Sequence, residues 1–292
     1  MTSEGLSFSA VLGPIAAGLI THRICISLQT RCVIVVGYQE IATEGSGNTM
    51  LSPTFLKVSE SNNVSLADLT VKGYDPPQWK KSGPIYKNVG GCAGDFKIAT
   101  LTTQGIEDKA YYWFDVCTSA TEKKIGWFAG DGSELPQSAS EITFDSGKAL
   151  WTQGGGYRLI PAGAVNPFDI AVKTESSGNV AVGNCTPVEL PLNDLSVTGY
   201  DPPQWKKSGP IYKNVGGCAG DFKMAIVTSQ GIEDEAYFWF DVCTSATEKK
   251  VGWFDAGGNE LPGGASSIKI PAGKGLWVQG SGYTLIIPAP EL

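Results

Sequence analysis

One segment of the chain occurs twice. GYDPPQWKKSGPIYKNVGGCAGDFK stands at residues 73–97 and again, letter for letter, at 199–223. The 126-residue register runs on without a gap until 160 meets 286. Upstream, TEGSGN at 43–48 matches TESSGN at 174–179 with a spacing of 131, so the first copy carries about five extra residues between Asn48 and Asp68. A repeat of this length means two like folding units rather than one large core. The chain divides into a leader or assembly segment at 1–32, a first module at 33–163 and a second at 164–292, joined at Pro161-Ala162-Gly163-Ala164.

Near-identity makes the differences between the copies the informative part. Tyr112 faces Phe238, Ile125 faces Val251, Leu101 faces Val227 and Ile98 faces Met224, exchanges of the kind a core tolerates. Lys109 becomes Glu235, and Gln137-Ser138 becomes Gly263-Gly264, as expected at the surface.

Each module reads as short strands. Residues 110–117 (AYYWFDVC) are aromatic and β-branched. Alternation puts Tyr112, Phe114 and Val116 on one face, and the Tyr112/Phe238 exchange assigns that face to the core. Further strands are expected at 96–102, 123–128, 141–144, 149–153 and 156–160, with another ending near Val71. Glycine-bearing turns at 130–132, 145–147 and 154–156 separate them. Outside residues 10–20 there is no sustained 3.6-residue apolar period. The expected class is all-β, two duplicated sandwich- or barrel-like modules.

Composition narrows the function. The net charge is −7, which speaks against a nucleic-acid partner, because phosphate neutralisation needs clustered Lys and Arg. His22 is the sole imidazole and lies in the leader, so no Ser-His triad is expected, and no G-x-S-x-G elbow occurs. GGCAGD lacks a Gly-Lys-Ser/Thr ending, and no C-x2-C pair stands near a histidine. No catalytic residue, metal or cofactor is expected. Carboxylates such as Asp75, Asp95, Glu107 and Asp115 keep a glycosidase as the third reading, although turn and surface positions account for them.

Seven cysteines are present. Cys92 with Cys117, and Cys218 with Cys243, occupy equivalent places and are expected as disulfides. Each would close a loop of about 25 residues, worth about 3 kcal/mol; buried free thiols are the alternative. Cys25, Cys32 and Cys185 are left over, and Cys32 with Cys185 is one way to link the modules. Asn63-Val64-Ser65 and Asn184-Cys185-Thr186 satisfy the glycosylation triplet.

All eight tryptophans fall in the duplication, four per copy. Trp79 and Trp205 follow a Pro-Pro pair that stiffens an extended turn. Leu150 and Thr152 read as inward, which turns Trp151 and Gln153 outward, with Trp277 and Gln279 as their repeats. Indole faces beside amides suit pyranose rings, so these six residues are candidate glycan contacts. Core filling and contacts between modules or subunits compete with that reading.

At the start, AVLGPIAAGLI at 10–20 is as long as a signal-peptide core and too short for a transmembrane span. Glu4 precedes it without a basic residue, and no A-x-A site follows. Residues 24–36 (ICISLQTRCVIVV) are unusually β-branched and apolar on both faces, with Ile24, Ile26, Val33 and Val35 the expected assembly residues. Such a strand is expected to complete a sheet, within module one or by addition to a second copy, which builds a filament if the contact does not close.

Val35-Val36-Gly37-Tyr38, the Gly-Trp-Phe triplets at 126–128 and 252–254, and Gly273-Lys274-Gly275-Leu276-Trp277-Val278 together resemble tandem β-module secreted or surface proteins of bacteria. Those open on a VVGY-like strand and close on a glycine-rich G-x-G-[FW]-[FW]-V strand; the first copy here reads SGKALWT at 146–152. The resemblance implies the fold and an extracellular or cell-surface location, with no established activity. The expected role is a structural or adhesive protein that self-associates. A pair of carbohydrate-binding modules gaining avidity from duplication is the alternative.

Overall fold

The computed structural model describes residues 22–25, 33–43, 48–55, 63–73, 79–82, 85–88, 93–117, 123–174, 179–199, 205–209, 211–214, 219–243 and 249–291. Regular structure among them is strand, apart from the 3-10 turns Leu66–Asp68, Leu192–Asp194 and Ala265–Ser267. The class is all-β, as the repeat of short aromatic and β-branched runs implies.

The centre of the first module is the long hairpin Ala93–Leu101 and Glu107–Cys117. Its turn closes through Thr102, whose N–H donates to the Ile106 carbonyl at 2.8 Å and whose carbonyl accepts from Gly105 N–H at 3.0 Å. Lys123–Phe128 extends this sheet on one side, and Leu150–Gln153 followed by Asn48–Leu51 on the other, all antiparallel. A second sheet is built on Arg158–Ala164, which pairs with Val33–Tyr38, Ile41–Ala42 and Leu69–Lys72.

The same order recurs in the second module. Ala219–Val227 and Glu233–Cys243 form the hairpin, flanked by Lys249–Phe254 and by Gly275–Gln279 with Asn179–Gly183. Ile170–Lys173, Thr284–Ile287 and Ser196–Thr198 make the facing sheet. Trp113 opposite Trp127 becomes Trp239 opposite Trp253, in the same register.

Each core lies between its two sheets. In the first, Phe96, Ile98, Trp113 and Trp127 meet Leu69, Val71 and Leu159; in the second, Phe222, Met224, Trp239 and Trp253 meet Val197 and Leu285. Buried indoles need a partner for the ring N–H. Trp127 Nε1 donates to the Leu69 carbonyl at 2.7 Å, and Trp253 Nε1 to that of Leu195 at 2.8 Å. Four of the eight tryptophans are therefore core residues.

The face assignment of the 107–117 strand needs correcting. Trp113 is buried, whereas Tyr112 and Phe238 are half-buried on the opposite face. Both faces carry aromatics, so alternation fixes the two sets without saying which is covered. The outer set forms its own strip: Phe114 meets Phe128 edge-on at 5.7 Å, and Lys124 Nζ lies 4.8 Å above the Phe128 ring. Ile125 and Val251 are also not core, being 57% and 55% exposed. Ile125 stands opposite Asp115, one core-face step beyond the buried Trp113–Trp127 pair, where the packed layer ends. Ile98 and Met224 are fully buried as expected.

The N-terminal strand completes a sheet within this chain, as a hairpin rather than one extended segment. His22–Cys25 pairs with Val33–Tyr38, bringing Ile24 opposite Ile34 and Arg23 opposite Val35. Val36 then pairs with Ala164. Ile26 and Cys32 lie outside the described residues. So do Cys92 and Cys218, and with them both expected disulfides; Cys117 and Cys243 end their strands. Cys185 is a buried free thiol, which removes it as the bridge between modules.

Candidate functional site

The modules meet through reciprocal backbone contacts. Gly183 N–H donates to the Gly147 carbonyl at 3.0 Å, and Ser52 N–H donates to the Gly273 carbonyl at 2.9 Å. By the two repeat spacings these are the same bond with the modules exchanged. The isolated bridges Lys148–Val182 and Leu51–Lys274 are exchanged in the same way. Residue i of one module thus meets j of the other and j meets i, the signature of a two-fold contact.

Small residues make this approach feasible. A Cβ on Gly183 would fall 2.5 Å from Ser52 Cβ, and one on Gly147 would fall 2.7 Å from Ile170 Cγ2. Its counterpart at Gly273 would fall 2.7 Å from Ile41 Cδ1. Met50, Ala149, Ala181 and Val227 form a small apolar cluster on the join, with Leu101, Trp151 and Trp277 packed against it.

Above this cluster opens a cleft of about 550 Å³, within the size range of small-ligand sites. Its two sides repeat each other. Trp151, Gln104 and Glu107 come from the first module, Trp277, Gln230 and Glu233 from the second, with Gln279 and Asn179 beside them. The hairpin tips cross over: Trp151 Cη2 lies 3.9 Å from where Gly231 would carry a Cβ, and Trp277 Cη2 lies 3.9 Å from the same point on Gly105. The charged residues of the lining are Glu107 and Glu233; Lys97 pairs with Glu107 at 2.5 Å and Lys223 with Glu233 at 2.6 Å, so each carboxylate is met by a lysine of its own module.

Of the sequence candidates, Trp151, Trp277 and Gln279 are brought to one place. Leu150 and Thr152 are buried and Trp151 and Gln153 half-buried, the alternation read from the sequence. Gln153 is not among the residues lining the cleft. Trp79 and Trp205 open the strands Trp79–Ser82 and Trp205–Ser208, each in a separate two-stranded ribbon, and their side chains lie outside the described residues. Sequence reasoning missed the hairpin tips. TTQGIE and TSQGIE are ordinary turns in one dimension, and only the crossing of the modules places Gln104 and Gln230 beside the indoles.

Other polar features have structural partners. Asn184 is 2% exposed, and its Nδ2 donates to the carbonyls of Val188, Ile270 and Pro271 at 2.8–3.2 Å, so this triplet has no amide free for a glycan. Asp131 accepts from Ser133 N–H at 2.9 Å, and hydrogen bonds from Ser133 lower its pKa. Among the described residues no three His, Cys, Asp or Glu are grouped to hold a metal, and no helix is long and apolar enough to cross a membrane. No family model matches the chain, and neither a curated protein nor a solved structure is significantly similar to it.

Proposed function

We propose that the protein is secreted or surface-displayed and non-catalytic, its two β-modules acting as one structural and adhesive unit. The observation that carries this reading is the reciprocal junction. Paired backbone bonds at Gly147–Gly183 and Ser52–Gly273, with glycine at the closest approaches, join the modules as one body rather than as beads on a linker. Among the described residues, no group with a shifted pKa is moved toward neutrality. Burial raises the pKa of Tyr111 and Tyr237, burial pushes Cys185 up to about 11, and hydrogen bonds from Asn259 lower Asp255. These shifts lead away from neutrality, where a general acid or base works best. The extracellular part rests on the matched cysteine placement and on the VVGY and Gly-Trp-Phe motifs.

Self-association is assigned to the strand His22–Cys25, which stands at the end of its sheet among the described residues. An open edge accepts a further strand. Sedimentation velocity and negative-stain microscopy of the full chain test this, with Ile24→Pro as the disrupting variant. Large species that disappear in the variant are expected. A wild-type chain that stays monomeric at every concentration overturns the assembly reading, and peptide mapping that finds Cys92, Cys117, Cys218 and Cys243 all alkylatable removes its extracellular support.

A further inference from the structure

We infer that the cleft between the modules is a single composite binding site for a neutral oligosaccharide, with one indole supplied by each module. The sequence suggests two independent platforms; the fold instead places Trp151 and Trp277 on opposite sides of one opening. Both rings are half-buried, fixed against the apolar cluster at one end and lining the cleft. Sugar rings present apolar C–H faces for stacking and a periphery of hydroxyls that both donate and accept. Gln104, Gln230 and Gln279 offer amides with the same dual capacity.

The charge pattern selects against ionic ligands. Lys97 and Lys223 are each paired, and the side chains of Glu107 and Glu233 keep 38% and 41% of their exposure, leaving oxygens to accept hydroxyls. The lining holds no Lys or Arg for a phosphate or uronic acid, and a cationic peptide would have to displace Lys97 and Lys223 from the two carboxylates. A cleft of about 550 Å³ is larger than one pyranose ring, so an oligosaccharide rather than a monosaccharide is the occupant. This inference is independent of self-assembly, because a monomer contains the whole site.

Isothermal titration of the full chain with cellohexaose, xylohexaose, mannohexaose, laminarihexaose and chitohexaose is the test. One ligand per chain is expected for at least one of the five, with affinity insensitive to salt. Trp151→Ala and Trp277→Ala should each weaken binding about tenfold. Because these rings also pack the junction, Gln104→Trp combined with Gln230→Trp is the second variant; it fills the cleft from exposed hairpin tips and should abolish binding. No heat with any of the five, two independent sites per chain, or undiminished binding in the cleft-filled variant overturns the proposal. Chromatography of the titrated sugar separates the two readings: shortened chains would overturn the non-catalytic role and leave the site in place.

Discussion

Trp127 and Leu69 hold the two sheets of the first module together: the indole N–H donates to the Leu69 carbonyl at 2.7 Å across the core. Leu69 stands opposite Pro161, which has no N–H to give. Trp127→Phe removes the donor and leaves a buried carbonyl short of a partner. The expected cost is about 2 kcal/mol. Urea denaturation should show it, and Trp253→Phe should cost a similar amount through Leu195.

Gly147 has φ +83° and no room for a Cβ beside Ile170, whereas Gly156 has φ +78° with nothing within 4 Å. Gly147→Ala therefore carries backbone strain and a steric clash; Gly156→Ala carries the strain alone. Thermal unfolding should place Gly156→Ala at about 1 kcal/mol and Gly147→Ala at roughly twice that. Equal effects would mean that the junction relaxes freely around the new methyl.

Cys185 is 3% exposed, and burial pushes its thiol from 9.0 to about 11. The folded state holds the proton more tightly than the unfolded one, so this contribution is fully present below pH 9. It is lost as pH rises through 11 and amounts to about 3 kcal/mol. Urea midpoints measured between pH 8 and 11.5 should fall, and Cys185→Ala should flatten that part of the decline. Native-state alkylation at pH 8 should leave Cys185 untouched.

Asn184 is committed to three carbonyls, so expression through a eukaryotic secretory route should leave it unglycosylated in the folded protein, as intact-mass spectrometry would show. Its loss matters for a different reason. Asn184→Ala takes a donor from the Ile270 and Pro271 carbonyls and the acceptor from the Thr186 N–H, bonded to Asn184 Oδ1 at 3.0 Å, at an expected cost of about 3 kcal/mol. A fully glycosylated, natively folded chain would contradict this placement.

The strands were legible because each is a short run with its own alternation and a glycine turn at its end. Residues 93–101, 107–117, 123–128, 150–153 and 158–164 all fall within a few positions of their expected places. What alternation cannot carry is which face looks inward when both are aromatic, hence the reversal at Tyr112 and Trp113. The site was half legible. Trp151 and Trp277 follow from the spacing of Leu150 and Thr152, but Gln104, Gln230 and Glu107 depend on how two modules cross, a relation with no local signature.

The reciprocal junction has a consequence for the modules taken singly. Gly147 and Ser52 belong to the first module and Gly183 and Gly273 to the second, and each pair contains one donor and one acceptor of the same repeated bond. Either module separated from the other therefore exposes a self-complementary surface. Two copies of one module could close on each other as the tandem closes on itself, and the covalent link at 161–164 turns that second-order encounter into a concentration-independent one.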